Sequence, residues 1–140
     1  RRLGATRKMC GKQENHFFAP RAWAFEYIIV SLLINITDRV KLERDIAQTV
    51  HQHRADAQVW LYGSRARGDY RQDSDWDVLI LLDQERVTER DHEQVAFPLY
   101  DLGIDNDTLI SPKIYTVRDW ERRSFTPFYK SVTRDRIRLT

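Results

Sequence analysis

Val59-Trp60-Leu61-Tyr62-Gly63-Ser64-Arg65-Ala66-Arg67-Gly68, followed by Ser74-Asp75-Trp76-Asp77-Val78-Leu79-Ile80-Leu81-Leu82, decides how this chain of 140 residues is read. Residues 58–62 are apolar and aromatic and predict a strand. That strand stops at Gly63-Ser64, where a small residue and a hydroxyl let backbone N–H groups face outward. A turn of this kind leading into a short helix favours an anion, because its N–H groups lack partners. Residues 75–82 predict a second strand, opened by two carboxylates. Side chains at i and i+2 share one face, with Cα atoms about 6.6 Å apart. Asp75 and Asp77 therefore point the same way, and Trp76 points to the other face.

Two like charges on one face repel unless a cation neutralises them. Mg²⁺ prefers carboxylate oxygens and keeps positions free for water or phosphate. A phosphate-holding turn beside such a pair is a coherent arrangement for moving a phosphoryl group from a triphosphate to a hydroxyl. The plainer alternative is a hairpin with a polar turn and a surface Asp pair. Strand flanks, glycines and carboxylates together speak against it.

Working outward, residues 37–54 read as an amphipathic helix, capped by Thr37 or Asp38, with Val40, Ile46, Ala47 and Val50 on its apolar face. His51 and His53, two apart, do not share a face and predict no metal pair. Residues 64–74 hold the turn and one short helix, where Arg65 contacts phosphate or pairs with nearby acids, as does Arg67. The apolar run 78–82 predicts a central strand buried on both faces. Residues 87–102 predict a second helix that Pro98 ends or kinks, with Gly103 as its cap. Residues 108–116 predict a third strand, placed at an edge or bulge by Pro112. Residues 118–132 predict one or two short helices broken near Pro127.

The combination of Gly63-Ser64-Arg65-Ala66-Arg67-Gly68 with Asp73-Ser74-Asp75-Trp76-Asp77 resembles the signature of the DNA polymerase beta nucleotidyltransferase superfamily, and the small size resembles its minimal nucleotidyltransferase branch. The likeness continues through Phe125-Thr126-Pro127-Phe128-Tyr129-Lys130 and Ile137-Arg138-Leu139. It implies an α+β fold, a small mixed sheet with helices packed on one face. It also implies a Mg²⁺-dependent enzyme that moves a nucleoside monophosphate from an NTP, ATP first among them, to a hydroxyl acceptor. Asp75 and Asp77 would be catalytic and bind the metal; Gly63, Ser64 and Arg65 would bind the nucleotide. The acceptor could be a protein side chain, an RNA end or a small molecule, nucleic acid entering only in that role. The superfamily's third carboxylate belongs on a following strand, yet residues 108–116 contain no Asp or Glu. Its place falls near Ser111, with Asp105 or, better placed, Asp107 as substitutes. Relatives in this branch commonly pair with a small helical HEPN-type toxin. The competing expectation is therefore a catalytically weak, antitoxin-like binding module.

Composition agrees with a single domain: 41% hydrophobic and 31% charged residues are those of a globular protein. A net charge of +2 is too small to argue for nucleic acid as a partner. Cys10 is the only cysteine, so no internal disulfide forms, which fits a reducing cytoplasm. Residues 1–21 are basic and unpatterned. The apolar run 22–36 is too short and too interrupted, by Glu26, for a membrane span, and no convincing signal cleavage site follows. Residues 1–35 are expected to be an extension outside the fold, its first 33 residues not necessarily part of the native product, and residues 36–140 the nucleotidyltransferase domain.

Overall fold

The computed structural model of the chain describes residues 21–139; Cys10 and the basic stretch before residue 21 lie outside them. Val78-Leu79-Ile80-Leu81-Leu82 needs apolar cover on both sides, and it lies in the central strand, β2 (Trp76–Leu82). On one side β2 pairs antiparallel with β1 (Gln58–Tyr62), and on the other parallel with β3 (Ile110–Thr116). A two-residue strand, β4 (Ile137–Arg138), closes the far side of β1, giving the order β3-β2-β1-β4. β3 is thus an edge, the position Pro112 predicts. The short β4 was legible only as part of the family likeness, since two residues carry no periodicity.

The parallel β2–β3 pair requires a helical crossover. Three consecutive segments supply it: α3 (Glu89–Asp91), a π turn (His92–Ala96) and α4 (Phe97–Asp105). Pro98 neither ends this helix nor leaves it regular. The wider π turn just before it relieves the proline ring's clash with the preceding turn, and the helix continues. Gly103 is consequently inside α4 and not its cap, which is Asn106. A Cβ at residue 103 would lie 2.8 Å from the Thr108 carbonyl oxygen, so glycine there permits the tight return into β3.

Alternation along the strands sends side chains to two clusters. Val59, Leu61, Val78, Ile80, Leu82 and Ile110 pack with Val95, Leu99 and with Leu42, Ile46 and Val50 of α1 (Arg21–His53). Each fully buried aliphatic side chain there contributes ~1.5–3 kcal/mol of transfer free energy. The opposite face carries Tyr62, Leu79 and Leu81 under Trp120 of α5 (Val117–Arg122) and Val132 of α6 (Pro127–Asp135). The expected helical layer on one face is present, and α5 and α6 add a second, smaller layer on the other.

The chain divides into two units, one through Asn35 and one from Ile36. In the first, Trp23, Phe25, Tyr27, Ile28 and Leu33 are exposed on helix. The helix expected over 37–54 does not start at Thr37 or Asp38, contrary to what their capping chemistry predicts; it is already under way at Arg21, because residues 22–36 contain no Gly or Pro to stop it. Among the described residues no helix is long and apolar enough to cross a membrane.

Candidate functional site

β1 delivers the chain to Gly63, and the next five residues form the short helix α2 (Gly63–Arg67). Tyr62 precedes this helix in an extended conformation and gives no side-chain cap, so the leading backbone N–H groups are left for another acceptor. Among the described residues the Ser64 hydroxyl makes no hydrogen bond, while its carbonyl accepts from Gly68 N–H at 2.9 Å. Gly63 has φ +74°, a region that disfavours any side chain. A Cβ at this position would overlap Asp77 Oδ2. The bend and the acid therefore meet directly.

The register explains why. Tyr62 pairs with Asp77, and Asp77 pairs on its other side with Ser111, so these three side chains form one row on one face. The next row inward is Trp60, Leu79 and Lys113. Asp75 precedes the strand on the side of Asp77, and Trp76 between them is buried in the opposite core, as alternation predicts. Burial, and then the charge of Asp75, raise the Asp77 carboxyl above its ordinary range; Lys113 and Arg67 pull it back. The Tyr62 phenol is pushed up to about 12 by burial and by the charges of Asp77 and Tyr115. Tyr62 and Lys113 are the neighbours that sequence reasoning missed. The signal was present in the strand register, which alternation alone cannot supply.

Arg65 departs from expectation. Its guanidinium does not present itself for phosphate: Nε and Nη2 donate to the Ser74 carbonyl at 2.9 and 2.8 Å, and Nη2 also donates to the Gln72 carbonyl at 3.1 Å. It lies buried between the Tyr70 and Trp76 rings, 4.8 and 4.5 Å from their centroids. The Arg65 carbonyl in turn accepts from Arg39 Nη2 at 3.0 Å. Arg65 thus pins the loop that delivers Asp75. Arg67 pairs with Asp69 at 3.1 Å and reaches Asp135 of α6 at 3.5 Å.

Neither Asp105 nor Asp107 joins the carboxylate pair. Asp105 ends α4, and Asp107 lines a separate hollow with Gln72, Asp73 and Leu109. No group of three His, Cys, Asp or Glu side chains able to hold a metal occurs among the described residues. Asp75 and Asp77 alone still suit a hard cation: two carboxylates on one side, one of them destabilised by the other's charge, beside a backbone approach that only glycine allows.

The profile of the family described as "Nucleotidyltransferase domain" matches residues 43–137. A protein of Methanocaldococcus jannaschii, described as a candidate protein adenylyltransferase, is 39% identical over 75 residues, covering 54% of this chain and 73% of its own length. A solved structure, described as that of a toxin–antitoxin with AMP-PNP, superposes with a TM-score of 0.51 at 17% identity, covering 70% of this chain and 72% of that one. At that identity the likeness is one of fold.

Proposed function

The chain belongs to the nucleotidyltransferase domain family, and from that premise we propose that it transfers AMP from ATP to a hydroxyl on a protein acceptor. The observation that carries this reading is the contact of the Gly63 backbone with the Asp77 carboxylate, which sets an open helix start against an acid pair. In the reaction the acceptor oxygen bonds to the α-phosphorus, the bond from that phosphorus to the α–β bridging oxygen breaks, and pyrophosphate leaves. The hydroxyl proton passes to water, since β3 offers Ser111 where a third acid would stand. Gly63 and Ser64 hold the outer phosphates through backbone N–H groups and the Ser64 hydroxyl. Arg65 keeps the 70–75 loop closed so that Asp75 stays beside Asp77. Asp75 and Asp77 would hold Mg²⁺, which when bound neutralises phosphate charge. The adenylyl donor and protein acceptor follow the description of the archaeal relative.

Incubation of the protein with ATP labelled at the α-phosphate and Mg²⁺, together with candidate acceptor proteins, tests this. Label on protein with stoichiometric pyrophosphate release is the expected result. Hydrolysis alone, or release of label as free phosphate, contradicts it.

A second reading is favoured by Ser111 lying opposite Asp77: a catalytically weak module that binds a HEPN-type toxin. The toxin–antitoxin fold of the solved structure is compatible with it. Co-purification with such a partner without any label transfer would select this reading over the first.

A further inference from the structure

Resting on the nucleotidyl-transfer reading, we propose that Lys113 supplies from β3 a positive charge on the face that carries Asp77, so that the site takes one divalent cation per chain and not two. The register carries the argument. Asp77 and Ser111 are direct partners on parallel strands, and Lys113 is two residues beyond Ser111 on the same face. Its Cα lies diagonally from that of Asp77 at a distance of about 8 Å, within reach of a four-carbon stem.

Three further features agree. Lys113 is exposed and forms no ion pair or hydrogen bond among the described residues, so its ammonium is not held elsewhere. Arg67, the other cation acting on Asp77, is committed to Asp69 and Asp135. Ser111 presents a hydroxyl where a third acid would be needed to gather a second cation, and neither Asp105 nor Asp107 takes that place. With an acid at residue 111, a lysine at 113 would pair with it and compete for its oxygens. With serine there, the lysine faces the Asp77 side of the site unopposed and acts on the same negative charge that a second metal would have served. An ammonium is a compact point charge with three donors and suits phosphate oxygens as well as a carboxylate.

Counting bound Mn²⁺ by electron paramagnetic resonance tests this on the full chain saturated with a non-hydrolysable ATP analogue. One Mn²⁺ per chain is expected for the native sequence. Two are expected for the Ser111→Asp, Lys113→Ala double variant. Lys113→Ala alone is expected to weaken analogue binding about tenfold, the order of one unit charge acting in a half-wet site, with Lys113→Arg restoring most of it. Both positions are at least partly exposed, so the fold does not depend on them. Two Mn²⁺ per native chain, or unchanged analogue affinity in Lys113→Ala, overturns the role of Lys113 and leaves the nucleotidyl-transfer reading standing. No Mn²⁺ and no analogue bound overturns both.

Discussion

Asp77 sits where its ionised form is least comfortable, half-buried beside Asp75. The folded state holds its proton to higher pH than the unfolded chain does. The cost to stability therefore grows as pH rises from the unfolded value near 4 and is constant above the folded value. Asp77→Asn removes this cost, so we expect a gain on the order of 0.5 kcal/mol after solvent screening, seen as a higher Tm in metal-free buffer. The same variant should lose most of the Mg²⁺-dependent transfer, since an amide is a weaker ligand than a carboxylate for a hard cation. A fall in Tm would contradict the electrostatic account. Gly63→Ala tests the neighbouring contact: strain at positive φ together with displacement of Asp77 should cost about 1–3 kcal/mol in denaturant unfolding and most of the activity. At this scale the sequence was informative about which acids share a face, because strand alternation is a local rule. It was misleading about Arg65, because the carbonyls of Gln72 and Ser74 that claim the guanidinium are identifiable only once the loop is folded.

Among the elements, α3 shows how a helix start is fixed. Asp91 accepts from the Thr88 backbone and hydroxyl at 2.7 and 2.8 Å and from Gln84 at 2.7 Å, and pairs with Arg54 at 2.6 Å. Burial alone would raise its carboxyl, but these donors win and hold it below the ordinary range. Its contribution is present above the unfolded value near 4 and disappears as pH falls through the lower folded value. Asp91→Asn should cost about 2–4 kcal/mol at neutral pH and flatten the acid limb of the stability profile. An unchanged acid limb would show that other carboxylates govern it. Arg65→Ala should loosen the 70–75 loop at a cost of about 1–3 kcal/mol, read by amide exchange at Ser74–Trp76, and Arg65→Lys should not rescue it, since lysine lacks the planar fork. Strands 58–62, 75–82 and 108–116 were legible to within two residues because apolar runs bounded by turns are strong signals. The π turn before Pro98 was not, because a proline inside a helical pattern announces a disturbance without saying how the backbone absorbs it.

For the whole molecule, the core that supports the site draws on Leu42, Ile46 and Val50 of α1, all within the unit that begins at Ile36. A chain of residues 36–140 is therefore predicted to unfold cooperatively and to bind Mg²⁺–ATP as the full chain does. Aggregation or loss of binding would assign residues before 36 a structural share. The order β3-β2-β1-β4 could not be read from periodicity, which gives the strands but not their neighbours; the family likeness implied a small mixed sheet and not its order. The central claim is that Asp75 and Asp77, set against the Gly63-Ser64 bend, form one metal-assisted nucleotide site. Isothermal titration of a non-hydrolysable ATP analogue in the presence and absence of Mg²⁺ addresses it directly. The native chain should bind only with Mg²⁺, and Asp77→Ala, still folded, should not bind; equal affinity in the two proteins, or binding indifferent to Mg²⁺, would contradict it.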